Sequence, residues 1–314
     1  MKVFLTETIH NEGVKYLQGF AQVVQATSIN EDSIIKEAQE CDAILVRSAK
    51  ITDNIVNNLP NLKVVGKHGI GVDNIDVDSC TKNNVAVVNA PKSNINAVAE
   101  HTVALILAAC KNINLLDNST REGKYTDRNV YPTIEIQGKT IGFIGMGNIA
   151  SLVAKKLGGF EVNIIAYDPF RISMENGVLV DDINEIYKNS DIITLHIPFT
   201  KENKNLISSK QFDMMKNTAI LVNAARGGIV DEDALYDALY NKKISFAAFD
   251  VFEAEPPLKT DKLFTLDNII VSPHNAALTQ QALINMATHS AQGIYECLTG
   301  KEITWLVNKE VFNS

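Results

Sequence analysis

Residues 138–150 read GKTIGFIGMGNIA. Thr140–Ile144 is apolar and β-branched, as a buried strand requires. It runs into Gly145, Gly147 and Ala150, a G-x-G-x-x-A turn that opens a helix. Gly145 permits the tight turn. Gly147 leaves room for a pyrophosphate to meet the backbone, and Ala150 lets helix and strand pack closely. The first helical residues, Asn148 and Ile149, offer unpaired N–H groups to an anion. An acid closes the next strand: Asp168, in AYDP, follows Ala150 by 18 residues. Its carboxylate suits the ribose hydroxyls of NAD and repels the 2′-phosphate of NADP. A glycine turn alone is as readily a packing device. Strand, turn, helix and acid together point to a dinucleotide, NAD.

Working outward, short apolar runs alternate with helical stretches on both sides. Val3–Leu5, Val23–Gln25, Ala43–Val46, Leu62–Val65 and Val85–Val88 read as strands, with helices at Glu31–Glu40, Thr52–Asn58 and Val77–Lys82. A long, almost wholly apolar helix spans Ala97–Ile113, the mark of burial in a core or an interface. The alternation then restarts. Strands read at Thr140–Ile144, Val162–Tyr167, Asp191–His196, Ala219–Asn223, Phe246–Asp250 and Ile269–Val271. Helices read at Ile149–Leu157, Ile183–Lys188, Ser208–Met215 and Asp231–Tyr240, and the tail Gln280–Leu298 is helical. Arg121–Ile136 is the clearest irregular segment. Such alternation predicts an α/β protein with two doubly wound, Rossmann-like domains.

Bulk properties narrow the class. With 314 residues, two domains are expected. Hydrophobic residues make up 46% and charged residues 21%, ordinary for a globular protein. The net charge of -8 argues against nucleic acid or an anionic membrane as the main partner. The four cysteines, at 41, 80, 110 and 297, have no metal-ligand spacing, and no metal is expected. No apolar run approaches a membrane span and the start is too polar for a secretory signal, so the expected location is the cytosol.

Three later loops carry chemistry. Arg226 lies in ILVNAARGGIVDEDAL, Glu255 in AAFDVFEAEPPL and His274 in IIVSPHNAALT, each just past the end of an expected strand. Open α/β sheets bind ligands at that edge. Singly, these are a surface ion-pair partner, a solvated acid and a helix-entry residue. Together they meet the needs of hydride transfer at C2 of a 2-oxo acid. An imidazole exchanges the hydroxyl proton. A carboxylate orients the imidazole and favours its charged form. A guanidinium grips the substrate carboxylate.

VNAARGGIVDEDALYDAL, FDVFEAEPP, SPHNAALT, GMGNIA, AYDP and LHIPFT (Leu195–Thr200) closely resemble the signature segments of the D-isomer-specific 2-hydroxyacid dehydrogenases. The resemblance runs from about Val46 to His274. It implies that Arg226 anchors the carboxylate, Glu255 pairs with the histidine and His274 is the general acid/base. It further implies that His196, Pro198, Thr200, Ala225 and Asp250 lie along the cofactor, Asp250 near the carboxamide. It implies a cofactor domain inserted into the substrate domain, at 100–282 within 1–99 and 283–314. Homodimer formation through the apolar helix is implied as well.

Within the family, VRSAKIT (Val46–Thr52), GKHGIGVDNID (Gly66–Asp76) and ARGGIVDE are most similar to the branch acting on 3-phosphoglycerate. The substrate-side candidates are then Arg47, Lys67, His68, Gly69 and Ile70. The glycine-spaced loop aims N–H groups at a carboxylate, and the two cations suit a phosphate. As solvated rim charges, Arg47 and Lys67 would do neither. Lys67-His68 departs from that branch's usual Arg-Ala, and Asn275-Ala276 from an apolar-Gly pair. A short form without a regulatory C-terminal domain is expected. The alternatives are a hydroxypyruvate, glyoxylate or D-lactate type reductase and, in another class, an NAD-sensing corepressor-like binding protein.

Overall fold

The computed structural model describes residues 1–312. The chain forms two compact units, Met1–Asn94 with Ala277–Ser314, and Ile95–Ala276. The middle of the sequence is thus a unit inserted into the other. The breaks expected at 99 and 282 fall a few residues late, inside helices that the two units keep whole.

The first unit runs β1 (Lys2–Leu5), α1 (Asn11–Gln18), β2 (Gln22–Gln25), α2 (Glu31–Glu37), β3 (Ala43–Val46), α3 (Asp53–Asn57), β4 (Val64–Lys67), α4 (Val77–Lys82) and β5 (Ala86–Val88). The second runs α5 (Ile95–Cys110), α6 (Ile113–Arg121), β6 (Thr140–Ile144), α7 (Asn148–Leu157), β7 (Asn163–Tyr167), β8 (Val178–Leu179), α8 (Ile183–Asn189), β9 (Ile192–Leu195), α9 (Ser209–Phe212), β10 (Ile220–Asn223), α10 (Glu232–Tyr240), β11 (Phe246–Phe249) and β12 (Ile269–Val271). The chain then returns to the first unit through α11 (Gln280–Leu298).

Both sheets are parallel throughout, in the orders β2-β1-β3-β4-β5 and β12-β11-β10-β9-β6-β7-β8. Each is buried on both faces, as parallel sheets must be when helices cross over them. On β3, Ile44 and Val46 enter one core while Ala43 and Leu45 enter the other. On β10, Ile220 and Val222 face one side and Leu221 the other. This period of two is why the strands read as continuous apolar runs. The second sheet reverses its winding between β6 and β9, the first between β1 and β3. Ligands of doubly wound sheets sit outside the carboxyl ends of the strands at such reversals.

Several local expectations need correction. The strand expected at Leu62–Val65 is Val64–Lys67, so Lys67 is a strand end. The long apolar helix ends at Cys110, because Asn112 takes a left-handed φ of 48° and α6 starts afresh at Ile113. Its apolar character is largely used within its own unit: Ala99, Leu105, Ile106, Ala109 and Cys110 pack into one core with the sheet and α7. The helix α1 was unreadable because its sequence, NEGVKYLQ, buries only Gly13 and Leu17. There the absence of a side chain on Gly13 is what lets α1 approach Ala287 of α11.

Candidate active site

The dinucleotide turn sits at the reversal of the second sheet. Gly145 has φ 88°, and a Cβ there would lie 2.6 Å from the His196 carbonyl oxygen, so only glycine fits. Over Gly147 the space is open, with nothing within 4 Å of a built Cβ. Ala150 is buried in the core. Gly147 caps α7 with no side-chain hydrogen bond, unlike α10 and α11, whose N-termini are capped by Asp231 and Thr279. The N–H groups from Asn148 and Ile149 onward therefore stand at an open helix end, where an anion is favoured. Asp168 follows β7, half-buried. One carboxylate oxygen accepts from Met146 N at 2.8 Å, the other from Phe170 N at 2.9 Å. Those bonds fix the carboxylate beside the turn. An uncapped helix end, an open glycine and an oriented acid fit a dinucleotide. Beside them a cavity of about 680 Å³ has Arg171 and Lys155 in its wall.

The β9 loop flanks the same edge. His196 stacks on Phe143 at 5.5 Å, and its ring meets Thr194 Oγ1 at 3.0 Å. Desolvation pushes its imidazole down to about 3, so it stays neutral. Pro198 and Thr200 are exposed. Asn203 pins both, accepting from Thr200 N at 2.7 Å and donating to the Pro198 carbonyl at 2.6 Å.

Arg226, Glu255 and His274 follow β10, β11 and β12, three adjacent strands. The buried Asn223 shapes the first turn: it accepts from Ala225 N at 3.0 Å and donates to the Arg226 carbonyl at 2.9 Å. Arg226 itself donates to the Ala225 carbonyl at 2.7 Å. A Cβ on Gly227 would lie 1.8 Å from the Phe252 carbonyl oxygen. The glycine is thus required for the Arg226 turn to press against the loop carrying Glu255. Glu255 Oε2 lies 2.7 Å from His274 Nδ1, and Oε1 accepts from Phe252 N at 3.1 Å. Burial alone would raise the Glu255 pKa. The bonds from His274 and Phe252 outweigh it and hold the carboxyl low, hence ionised. The anion fixes Nδ1 as the protonated nitrogen, leaving Nε2 to exchange a proton.

His274 has φ 49°, a left-handed conformation costly for a residue with a Cβ. Asp250 holds it there. The Asp250 carbonyl accepts from His274 N at 2.8 Å, and its carboxylate accepts from Asn275 N and Ala276 N at 3.0 Å each. Ser272 donates to the same carboxylate at 2.5 Å, and His101 lies 3.5 Å away. Burial opposes the charge on Asp250. The donors overcome it and keep the pKa below its usual value. The sequence marked Asp250 as a cofactor residue and missed its part in shaping this turn. Ser272 and Asn223 were missed as well, although each lies within three residues of a catalytic candidate.

In the first unit, the candidates cluster at the β1–β3 reversal. Glu7 lies two residues past the end of β1, and its carboxylate accepts from the backbone N of Arg47 at 3.0 Å, Ser48 at 2.6 Å and Ala49 at 2.9 Å. This folds the loop over the strand end. Lys67 donates to the Arg47 carbonyl and to Asn74 Oδ1, both at 2.6 Å, so its ammonium ties that loop to the next. No hydrogen bond or ion pair of the Arg47 guanidinium is found among the described residues. His68 is buried, with N bonded to the Val46 carbonyl at 2.9 Å. Burial first, and Arg47 second, push its imidazole down to about 4. Gly69 has φ 143°, a conformation open to glycine, and its carbonyl accepts from Ala90 N at 2.8 Å. The Ile70 carbonyl accepts from Asn89 at 2.8 Å.

Residues 103–276 match the NAD-binding domain of D-isomer-specific 2-hydroxyacid dehydrogenases. The chain is 42% identical to a D-3-phosphoglycerate dehydrogenase of Methanocaldococcus jannaschii over 98% of its own length. It spans 59% of that relative. It is 36% identical to a hydroxypyruvate reductase of Thermotoga maritima, over 94% of this chain and 97% of that one. A D-lactate dehydrogenase structure with NAD+ from Lactobacillus jensenii superposes with a TM-score of 0.80 at 28% identity, covering 98% of this chain and 99% of the other. Glycine turn, oriented acid and the matching domain agree, and the chain belongs to the D-isomer-specific 2-hydroxyacid dehydrogenase family.

Proposed function

We propose that this chain is an NAD-dependent dehydrogenase of small 2-hydroxy and 2-oxo acids, with Arg226, Glu255 and His274 as its catalytic residues. The observation that carries the reading is the 2.7 Å contact of Glu255 with His274, one strand from the Arg226 turn in an NAD-binding domain. Gly145, Gly147, Asn148, Ile149 and Asp168 hold the pyrophosphate and ribose, and His196, Pro198, Thr200, Ala225 and Asp250 line the same sheet edge. When bound, the cofactor supplies or removes the hydride at C2. His274 gives its Nε2 proton to the carbonyl oxygen during reduction and takes the hydroxyl proton during oxidation. Glu255 keeps Nδ1–H in place. Arg226 anchors the substrate carboxylate and polarises the neighbouring carbonyl.

For the acid, 3-phosphoglycerate and 3-phosphohydroxypyruvate are favoured. The half-buried Arg47, beside the glycine loop of His68, Gly69 and Ile70, supplies a cation for a phosphate. Lys67 acts there by bracing the loop. Hydroxypyruvate, glyoxylate or D-lactate chemistry is the alternative. The carboxylate–imidazole pair favours an enzyme over an NAD-sensing binding protein. A cytosolic homodimer completes the reading, with the exposed Ile113, Tyr125 and Val130 available to a second copy. NADH oxidation against phosphohydroxypyruvate, hydroxypyruvate, glyoxylate, pyruvate and phenylpyruvate tests it. The phosphorylated acid should give the highest kcat/KM; turnover of none of the five overturns the enzymatic reading.

A further inference from the structure

The Glu255–His274 pair depends on an unusual piece of backbone. His274 is left-handed, and the two residues after it have their N–H groups bonded to the carboxylate of Asp250. That carboxylate is wholly buried, so its direction is set by its other partners. These are the Ser272 hydroxyl, at 2.5 Å, and the His101 imidazole, whose Nε2 lies 3.5 Å from Asp250 Oδ1 and 3.2 Å from Ser272 Oγ. A hydroxyl has one proton to donate. Ser272 gives it to the carboxylate, so its oxygen accepts from His101, and Nε2 is the protonated nitrogen of that ring. The donors run in one direction, from His101 to Ser272 to Asp250. Chains of this kind reinforce one another in a dry environment.

His101 stands on α5, far in sequence from the turn, and these are the polar contacts of its ring among the described residues. We propose that His101 is a positioning residue: through Ser272 it fixes the Asp250 carboxylate, which holds the Asn275–Ala276 backbone so that His274 stays aligned on Glu255. The inference rests on the catalytic reading above for its effect on turnover. Its structural part stands on the hydrogen bonds alone.

Hydrogen exchange on the intact protein separates the two. In His101→Ala, amide exchange in the segment after Ser272 should rise about 3- to 10-fold, the loss expected for one hydrogen bond. Segments of β9 and β10 should be unchanged. His101→Gln, whose amide Nε2–H reaches the same place, should restore most of the protection. Turnover should fall in parallel by about 3- to 10-fold in His101→Ala, and Gln should rescue it. Ser272→Ala should cost about as much, and the double variant little more than either single one. Unchanged exchange after Ser272 in His101→Ala overturns the proposal. An equal rise throughout the sheet, a Gln variant no better than Ala, or additive losses with Ser272→Ala also overturn it. If the unaltered protein reduces none of the five acids, the proposed function fails, and the exchange pattern still decides the role of His101.

Discussion

His274 Nδ1 and Glu255 Oε2 lie 2.7 Å apart, on loops that follow neighbouring strands. The pair exists because β11 and β12 are adjacent and because the second loop turns through a left-handed histidine. Reduction of an oxo acid requires the imidazole to deliver a proton, and the carboxylate orients the ring that delivers it. Glu255→Gln removes the negative charge while keeping the shape. With the acceptor of the Nδ1 proton weakened, kcat for reduction should therefore fall. Steady-state rates from pH 5 to 9 measure this. A profile superimposable on the unaltered enzyme's would rule out electrostatic support by Glu255.

Cofactor choice follows from Asp168. Its carboxylate is pinned by Met146 N and Phe170 N; in the proposed site it would meet the ribose hydroxyls and repel a 2′-phosphate. NADH should give a higher kcat/KM than NADPH. Asp168→Ser should narrow the gap, helped by Arg171 and Lys155 in the adjoining cavity wall. Equal kcat/KM for both cofactors in the unaltered enzyme would remove Asp168 from this role.

Asp250 links stability to pH. Its pKa is lowered in the folded chain, so its stabilisation is complete above the ordinary value of 3.8 and is lost as pH falls through the lower native value. Asn at this position turns an amide toward a backbone N–H, at a cost of about 1–3 kcal/mol. Denaturant unfolding at pH 7 should show that loss. The gap between Asp250→Asn and the parent should shrink on acidification below 3.8. A gap that stays constant to pH 2.5 would mean that the Asp250 charge does not hold the turn.

The alternation of β-branched runs and helices made both doubly wound sheets legible, because parallel strands buried on two faces cannot be anything but apolar. The glycine turn and Asp168 were legible because backbone geometry admits few residues at Gly145 and Ala150. Arg226, Glu255 and His274 were legible as strand-end residues, but their mutual geometry was not. It depends on Gly227 passing Phe252 and on Asp250 reaching the 274–276 turn. Lys67 was legible as a strand-end cation, but its contacts were not. A lysine at a strand end looks like a ligand-binding cation, and only the fold reveals Arg47 and Asn74 as its partners. The extent of α5 was overread because an apolar run carries no mark of the left-handed Asn112.

That difference between Arg47 and Lys67 is itself testable. Arg47→Ala should lower kcat/KM roughly 10–150-fold for the phosphorylated acid, from a charged hydrogen bond of about 1.5–3 kcal/mol. It should spare hydroxypyruvate. Lys67→Ala should weaken the loop for every acid and lower Tm. Equal losses on both acids in Arg47→Ala would mean that the residue serves structure or the shared carboxylate, and the phosphate reading would fall.

The central claim is that His274 exchanges the substrate proton. The most direct measurement is single-turnover reduction of the best oxo acid by enzyme-bound NADH, in the unaltered protein and in His274→Ala. The account predicts a loss of roughly 10²–10⁴-fold in the chemical step, the range for a positioned general acid. The Kd for NADH should stay within about twofold, since the pyrophosphate turn at Gly145–Ala150 is untouched. Near-normal turnover in His274→Ala would contradict it.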